Sequence, residues 1–363
     1  MKGPPLRVGL VGCGQIADAH LAEIRRQEGV EMAAVCDADR DLAYQAALRF
    51  GVPAYFQDLR EMLGTARLDV LHVTTPPHTH ATLALAALDA GCHVYVEKPF
   101  TVNAKEAQEV VERARIRDRF VCVGHDHLWD PVWLRFRELL RTSEVGDVVH
   151  VDSLLGYDLA GPFGSEVVAD PEHWVNRLPG GLFHNSLPHA LYKITDLIPD
   201  SSFDVEGRWY VPSPASGAPS ELRVTLYGRS SSGSIVFSSA ARPLQRKVVV
   251  LGTRRSIEVD FDAGTLRLCR APSAPGPFGK LEQPLRQALE ALRSLGHNAR
   301  AFSQSRLHYF AGMRALMTAF YRSIREGAPP PIAPGEILRV TRLMDQIFAV
   351  CSVATTSRPL GHS

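Results

Sequence analysis

The chain has 363 residues, a length typical of two or three domains. It is 45% hydrophobic and 22% charged, which is enough apolar material for sizeable cores. The net charge of +1 gives no field of one sign, so neither nucleic acid nor an anionic membrane is indicated as a partner.

The six cysteines are scattered along the chain, with no C-x-x-C pair and no zinc-ligand spacing. Several lie in apolar, strand-like runs, where a free cysteine packs as a small hydrophobic residue. The sequence after Met1 has no signal-peptide pattern, and no apolar run has the length of a membrane span. We therefore expect a protein of the reducing cytoplasm.

The first 125 residues alternate strand and helix patterns. Arg7–Gly12 is a short apolar run ended by glycine, as in a buried parallel strand. The other predicted strands are Glu31–Asp37, Asp69–Thr75, His93–Glu97 and Phe120–Gly124, and the predicted helices are Gln15–Gln27, Asp39–Phe50, His80–Ala90 and Asn103–Arg117. This order predicts βαβ units in a doubly wound parallel sheet, an α/β domain over residues 1–127.

A glycine-rich motif, Gly12–Ala17 (GCGQIA), joins the first predicted strand to the first helix and has the pattern G-x-G-x-x-A. Gly12 permits a tight turn, Gly14 lets the backbone approach a pyrophosphate, and the alanine allows close packing of helix on sheet. Gln15 and Ile16 open the helix, whose N-terminus would face the anion. The motif predicts a Rossmann dinucleotide site; the alternative is a strand that ends in glycine for structural reasons alone.

Asp37 ends the second predicted strand, where an acidic residue hydrogen-bonds the adenosine ribose and repels a 2′-phosphate. It therefore predicts NAD as the cofactor rather than NADP. The structural alternative is an aspartate that caps the helix beginning near Asp39, and Arg40 keeps NADP as an alternative cofactor.

The pattern changes after Asp130-Pro131. A predicted helix, Val132–Leu140, leads to a strand near Val148–Leu155, and a stretch rich in glycine and proline follows. A β-meander is predicted from Ser220 to Leu268, with strands Glu221–Tyr227, Gly233–Ser238, Lys247–Leu251 and Ser256–Phe261. Helical patterns close the chain at Leu281–Leu295, Arg306–Arg325 and Glu336–Ser352. Residues 128–363 are predicted to form an α+β domain with a large, mostly antiparallel open sheet, whose last helices pack back on the first domain.

Three further segments carry motifs: Thr75–His80 (TPPHTH), Gly91–Pro99 (GCHVYVEKP), and the glycine pair at 180–181 followed by Asn185 and His189. Together with the glycine-rich loop they resemble the glucose–fructose oxidoreductase / inositol dehydrogenase / rhizopine-catabolism family (Gfo/Idh/MocA). The family patterns are T-P-x-x-x-H, A-G-K-H-V-x-x-E-K-P and G-G-x-x-x-D-x-x-x-H. The resemblance covers the whole first domain and the start of the second.

The resemblance implies that Lys98 is the active-site lysine and that Glu97 lies near the nicotinamide. It also implies that Thr75, Pro76 and His80 line the cofactor site and that the Lys98–Pro99 peptide is cis. An ammonium suits this role because it can hold a hydroxyl oxygen and stabilise the negative charge that develops on it. The alternative is a surface lysine that pairs with Glu97.

His189 is implied to act with Lys98, and an imidazole is well suited to accept and return a proton near neutral pH. Asn185 precedes it by four residues, where the family usually has Asp. An amide can orient a hydroxyl, but it cannot carry a proton or stabilise an imidazolium by charge. We predict Lys98, His189 and Asn185 to be catalytic; the alternative is that Asn185 caps a helix and His189 packs within it.

His127, Trp174 and Tyr192 are predicted to contact substrate together with Asn185 and His189. His127 takes the place of an arginine that many family members have. The H-x-H pattern at 125–127 does not predict a metal site, since no third ligand has a recognisable spacing.

The sequence thus predicts an NAD-dependent oxidoreductase that transfers hydride between a secondary alcohol of a polyol, sugar or sugar derivative and nicotinamide. Two alternatives stay open: a redox-neutral epimerase, lyase or glycosidase that uses NAD transiently, and a non-catalytic regulator that senses the dinucleotide. The expected partners are a small-molecule substrate and further copies of the chain. The resemblance implies a homodimer or homotetramer formed through the C-terminal sheet. The amphipathic segment Leu281–Leu295 is interpreted as a packed or intersubunit helix rather than a membrane-surface helix.

Overall fold

The computed structural model describes residues 4–142, 144–210, 220–304 and 306–356, with side chains as far as Cys351. The chain divides into two compact units. The first contains the residues through Asp126 together with Gly312–Arg342, and the second contains His127–Ala311 together with the residues from Leu343. No helix in the described ranges is long and apolar enough to cross a membrane.

The first unit contains a six-stranded parallel sheet. Its strands are β1 (Leu6–Val11), β2 (Val30–Cys36), β3 (Tyr55–Phe56), β4 (Val70–Val73), β5 (His93–Val96) and β6 (Val121–Val123). Their spatial order is β3-β2-β1-β4-β5-β6, the order of a doubly wound Rossmann sheet, so the predicted fold class is confirmed. Only β3 lies outside the predicted strands, because two residues are too few to give a hydrophobic pattern.

Helices connect and cover the strands. Those in the described residues are α1 (Ala17–Ile24), α2 (Arg40–Phe50), α3 (Leu59–Thr65), α4 (His80–Asp89), α5 (Ala104–Ile116), α6 (Pro131–Arg141), α7 (Pro162–Ala169), α8 (Gly181–Ser186), α9 (Pro188–Thr195), α10 (Phe278–Ser303), α11 (Ala311–Glu326) and α12 (Pro334–Thr356). Nearly all of α11 and the beginning of α12 belong to the first unit, although they lie far along the chain.

The core of the first unit contains the central strands, which helices cover on both faces. Every residue of β4 is buried, and Leu10 of β1 and Val35 of β2 pack against alanines of α1 and α2. Alanines such as Ala17 and Ala43 let the helix backbone approach the sheet closely. The continuous apolar runs in the sequence reflect this two-sided burial.

The second unit contains a seven-stranded sheet. Its strands are β7 (Val148–Gly156), β8 (Asp204–Tyr210), β9 (Glu221–Tyr227), β10 (Ser232–Ser238), β11 (Arg246–Gly252), β12 (Ser256–Asp260) and β13 (Thr265–Cys269). The spatial order is β13-β12-β11-β7-β10-β9-β8, and all pairs are antiparallel except β7 with β10. The mostly antiparallel sheet is confirmed, but the simple meander is wrong: β7 lies between β10 and β11, and hydrophobic alternation carries no information about which strand pairs with which.

The two faces of this sheet differ. Ile235, Phe237 and Val248 lie on one face and are buried. Ile194 of α9 packs on this face, so close to Gly233 that a Cβ there would be 2.6 Å from its Cγ2. The opposite face is half-exposed and mixes aliphatic with charged side chains. Its polar contacts include the pairs His150–Asp152 and Lys247–Asp260.

A buried carboxylate links two distant parts of the first unit. Glu23 of α1 is 2% exposed, and its Oε2 accepts from Nε of Arg314 in α11 at 2.6 Å. The same carboxylate also accepts from Arg26 at 2.6 Å. A buried charge is tolerated when it is paired and hydrogen-bonded in this way.

We expect Glu23→Gln to lower the free energy of unfolding by about 2 kcal/mol, because the buried ion pair is broken while Arg314 stays partly solvated. Asp18→Asn is the matched control on the same helix: Asp18 pairs with Arg49, but both side chains are about half exposed, so its loss should cost about 0.5 kcal/mol or less. Chemical denaturation of both variants measures the difference. Equal effects would contradict a linking role for Glu23.

Candidate active site

The glycine-rich loop after β1 has the geometry that a dinucleotide requires. Gly12 has φ +96°, and a Cβ there would lie 2.7 Å from the backbone of both Thr74 and Thr75. Gly14 has no heavy atom within 4 Å of the position where its Cβ would be, so the loop leaves open space on that side. Gly12 is required by the fold itself, whereas the space at Gly14 fits a pyrophosphate that approaches the backbone.

The Asp37 carboxylate is fixed beside this loop. Its Oδ2 accepts from the backbone N–H of Cys13 at 2.7 Å, and its Oδ1 accepts from the N–H of Asp39 at 2.9 Å. The N-cap of α2 is Asp39, not Asp37, so the capping interpretation of Asp37 is wrong. A half-buried carboxylate held at the end of β2 can accept hydrogen bonds from ribose hydroxyls and repel a 2′-phosphate. The Arg40 guanidinium contacts the hydroxyl of Tyr55 at 3.3 Å.

The loop after β4 is tied to the loop after β5. His80 is buried, with Nε2 at 2.7 Å from the carbonyl oxygen of Thr75 and Nδ1 at 2.9 Å from that of Pro99. Burial lowers the pKa of His80 despite these two carbonyls, and a neutral ring donates to only one of them at a time. His80 thus joins two loops, while Thr75 and Pro76 remain half-exposed, and the cofactor contacts of these three residues stay predictions.

Lys98 and Glu97 lie at the carboxyl end of β5, as predicted. The Lys98–Pro99 peptide is cis, which confirms that prediction. The backbone N–H of Lys98 donates to Oε2 of Glu97 at 3.0 Å. Burial lowers the pKa of the Lys98 ammonium, while the negative charges of Glu97 and Asp126 act to raise it. A lysine in this environment can take part in proton transfer more readily than a fully solvated one.

Glu97 belongs to a buried chain of hydrogen bonds that the sequence did not predict. Oε1 of Glu97 lies 2.8 Å from Nε2 of His20, Nδ1 of His20 lies 3.1 Å from Nδ1 of His72, and Nε2 of His72 lies 2.7 Å from the hydroxyl of Tyr321. The chain joins α1, β4 and α11 to the end of β5. His20 lies within the predicted helix Gln15–Gln27, but its partners lie 52 and 77 residues away, so no local pattern could reveal them.

One arrangement of protons with both imidazoles neutral satisfies all three contacts. Tyr321 donates to His72, His72 Nδ1–H donates to His20, and His20 Nε2–H donates to the ionised Glu97. Burial, with a smaller effect of His20, lowers the pKa of His72 well below its usual value. Burial acts to raise the pKa of Glu97, but His20, the Lys98 charge and the Lys98 N–H outweigh it, so that pKa is lowered. Glu97 is therefore held as a carboxylate.

A histidine cluster lies in the second unit. The rings of His127 and His189 stack with centroids 4.4 Å apart. Tyr192 is fully buried, and its hydroxyl lies 2.8 Å from Nδ1 of His189 and accepts from the N–H of His127 at 3.3 Å. The Tyr192 hydroxyl thus contacts both histidine residues, and its predicted contact with substrate stays a prediction.

The remaining predicted residues also lie in the second unit. Asn185 is 8% exposed near the end of α8, and Leu187, in helical conformation, connects it to α9. Asn185 therefore does not cap α9. Trp174 is half-buried, and its ring lies 5.3 Å from that of His173 and 5.9 Å from that of Phe163.

Sequence reasoning also missed Lys193, which is fully buried one position after Tyr192. Its Nζ lies 4.0 Å from the ring centroid of Phe261, a distance at which an ammonium interacts favourably with an aromatic face. Burial raises the pKa of nearby Asp130, while Lys193 acts to lower it. A lysine in an apolar helix pattern is ordinarily assigned to the surface, so the sequence contained no signal that Lys193 is buried beside Phe261 and Asp130.

Curated relatives match less than the whole chain. The D-glucoside 3-dehydrogenase of Escherichia coli is 31% identical over 41% of this chain and 42% of its own length. The inositol 2-dehydrogenase of Salmonella typhimurium is 30% identical over 40% of this chain and 44% of its own length. The chain thus spans somewhat less than half the length of these two relatives.

The fold as a whole is shared with a solved structure. The WlbA dehydrogenase from Bordetella pertussis, in complex with NADH and UDP-GlcNAcA, superposes with a TM-score of 0.79 over 98% of this chain and 97% of that one, at 18% identity. Such an identity shows a common fold and no more.

The model of the oxidoreductase family with an NAD-binding Rossmann fold, Gfo/Idh/MocA, matches residues 6–125. This range includes the loop at Gly12, the carboxylate of Asp37, and the Glu97-Lys98-Pro99 turn. Residues 6–125 are therefore similar to the NAD-binding Rossmann domain of the Gfo/Idh/MocA oxidoreductase family.

Proposed function

We propose that this protein is an NAD-dependent dehydrogenase that oxidises a secondary alcohol of a polyol, sugar or sugar derivative. The observation that supports this most is the environment of Lys98, a half-buried ammonium at the end of β5 beside a carboxylate that is kept ionised. Bound NAD would supply the hydride acceptor. The loop at Gly12 and Gly14 would hold its pyrophosphate, and Asp37 its adenosine ribose.

In this proposal Lys98 donates a hydrogen bond to the substrate oxygen and stabilises the negative charge that develops on it. Glu97 is a weak base for the substrate proton, because its bonds to His20 and to the Lys98 N–H help to lower its pKa. Its part is to keep a negative charge beside the ammonium. Lys98 thus stays protonated more readily than burial alone would allow.

His189 is the proposed base. If its Nδ1–H donates to the Tyr192 hydroxyl, the Nε2 lone pair can accept a proton. With that tautomer, Tyr192 orients the imidazole without bringing a negative charge, which an Asp at position 185 would do. Asn185 can orient His189 or a substrate hydroxyl, but it cannot stabilise the imidazolium by charge.

The substrate class is proposed from the named relatives, which act on a glucoside and on inositol. The redox-neutral alternative uses the same Lys98 and His189 and regenerates the cofactor in each turnover. The regulator alternative is supported only by Asn185 in place of Asp. The further proposal of a homodimer or homotetramer concerns the half-exposed face of the second sheet, where the pairs His150–Asp152 and Lys247–Asp260 lie.

We expect tighter binding of NAD than of NADP, and Asp37→Ser should narrow this preference about tenfold because it removes repulsion toward a 2′-phosphate. Titration calorimetry with both dinucleotides measures the ratio. Asp41→Ser, at an exposed position of α2, removes the same charge away from the loop and should leave the ratio unchanged. Tighter binding of NADP by the wild type would refute the cofactor assignment.

A panel of polyols, sugars and nucleotide sugars, followed by NADH absorbance, tests the reaction itself. With the best substrate, Lys98→Met should lower kcat on the order of 10³-fold while the Kd for NAD stays nearly constant. Lys105→Met removes an exposed lysine from α5 and is the control. An active Lys98→Met variant would contradict the role of the lysine. Epimerised or cleaved product without NADH would favour the redox-neutral alternative, and NAD binding without any turnover would favour the regulator.

Asn185→Asp should move the acidic limb of the pH–rate profile to higher pH, because a negative charge one helical turn from His189 favours its protonated form. The base must be neutral to accept a proton. As the pH is lowered, the variant should therefore lose activity at a higher pH than the wild type does. Asn185→Ser, which adds no charge, should leave the limb in place. An unmoved profile in the Asp variant would show that His189 is not the base.

A further inference from the structure

Helix α10 turns its polar side toward its own unit. Glu290 Oε2 accepts from the backbone N–H of Leu268 in β13 at 3.0 Å, and Asn298 Nδ2 donates to the carbonyl of Ala263 at 2.8 Å. The only buried residues of α10 are Gly279 and Ser294. The side of the helix that would form a core in an ordinary amphipathic arrangement therefore points away from the unit.

The outward side of α10 is a continuous apolar stripe. Six of its leucine and phenylalanine side chains are 63–73% exposed: Phe278, Leu281, Leu285, Leu292, Leu295 and Phe302. With two exposed alanines, the stripe occupies positions 278, 281, 285, 288, 292, 295, 299 and 302. The intervals alternate strictly between three and four residues, so the repeat is 3.5 residues over the whole helix.

A strict 3.5-residue repeat is the pattern of a coiled-coil seam, in which alternate positions a and d face a partner helix. A membrane-surface helix has a broader apolar face with a period near 3.6. The six large side chains expose on the order of 600 Å² of apolar surface. This approaches the value of about 800 Å² that each partner contributes to an interface of standard size.

We propose that α10 pairs antiparallel with α10 of a second copy of this chain. In an antiparallel pair with two-fold symmetry, each a position faces a d position of the partner subunit. In the register proposed here, the numbers of any two facing residues sum to 580. The layers are then Phe278 with Phe302, Leu281 with Ala299, Leu285 with Leu295, and Ala288 with Leu292, each with the second member from the partner subunit.

This register fits the sizes of the side chains. Both alanines, Ala288 and Ala299, face a leucine of the partner subunit, so no layer contains two small residues and none leaves a large void. In a parallel pair each residue meets its own copy, and two of the eight layers would contain only alanines. The seam is therefore self-complementary in the antiparallel direction, as an isologous interface requires.

The first test measures the mass of the assembly by light scattering over a range of concentrations. Leu285→Gln/Leu292→Gln should halve the mass at a given concentration or raise the dissociation constant at least about 100-fold, because two hydrophobic layers and their symmetry copies are lost. Leu48→Gln/Ile116→Gln changes two equally exposed apolar residues of α2 and α5 and should have no effect. A tetramer reduced to a dimer and a dimer reduced to a monomer both support the proposal.

A wild-type protein that is monomeric at all concentrations would overturn the proposal, and so would an α10 variant of unchanged mass. If the monomer bound vesicles of phosphatidylcholine and phosphatidylglycerol, α10 would be assigned to a membrane surface instead. Circular dichroism of the variant shows that it is folded, which is expected because both substituted leucines are 63% exposed.

The second test determines the direction of pairing by cysteine cross-linking with diamide. In the antiparallel pair Ala291 flanks the two-fold axis and faces Ala291 of the partner subunit, so Ala291→Cys should give a covalent dimer. In a parallel pair Ala288→Cys would cross-link instead, because position d meets position d. The wild type is the control and should not cross-link through α10. Five of its native cysteines are buried and Cys269 is half-buried. Cross-linking through Ala288→Cys alone would overturn the antiparallel register.

Discussion

The first unit is organised around one carboxylate that must stay charged although it is buried. Glu97 is 7% exposed, and an isolated charge at such a position is costly unless hydrogen bonds replace the lost water. His20 and the backbone N–H of Lys98 provide those bonds. Gly124 leaves room beside it, since a Cβ there would lie only 3.0 Å from Oε1. Because its partners come from different elements, the carboxylate ties α1 and the ends of β5 and β6 together and places Lys98 at the edge of the sheet.

The dinucleotide loop depends on a second constraint, the close approach of two backbones. Gly12 lies against the start of the loop after β4, so that no larger residue fits there. The backbone N–H of Cys13 donates to the Asp37 carboxylate. This hydrogen bond orients the carboxylate at the ribose end of the predicted cofactor site. The pyrophosphate space at Gly14 and the ribose acceptor at Asp37 are therefore set by the same few backbone atoms. A substitution that moves the backbone at one end of the loop would therefore also displace the groups at the other end.

The sequence was sufficient to predict what depends on local pattern. Strands such as β4 are buried on both faces and read as continuous apolar runs, and the glycine loop has a fixed position between strand and helix. Contacts across long separations were not predictable: Tyr321 meets His72 across 249 residues. The same limit applies to Tyr192, because an aromatic residue three positions after a histidine in a helix has no signature of the hydrogen bond it makes. The insertion of β7 between β10 and β11 likewise depends on tertiary pairing rather than on alternation.

A periodic pattern shows which side chains share a face of a helix, but not which face turns inward. In α10 the direction is decided by β13, the edge strand of the second sheet, whose backbone groups need partners where no further strand supplies them. Glu290 supplies one acceptor to that strand, and Asn298 donates to the neighbouring turn at Ala263. The polar face of α10 is thus required against the sheet, and the leucines are directed outward as a consequence. Protection of the sheet edge and exposure of the hydrophobic seam are therefore two results of one arrangement, and no described residue of the chain covers that seam.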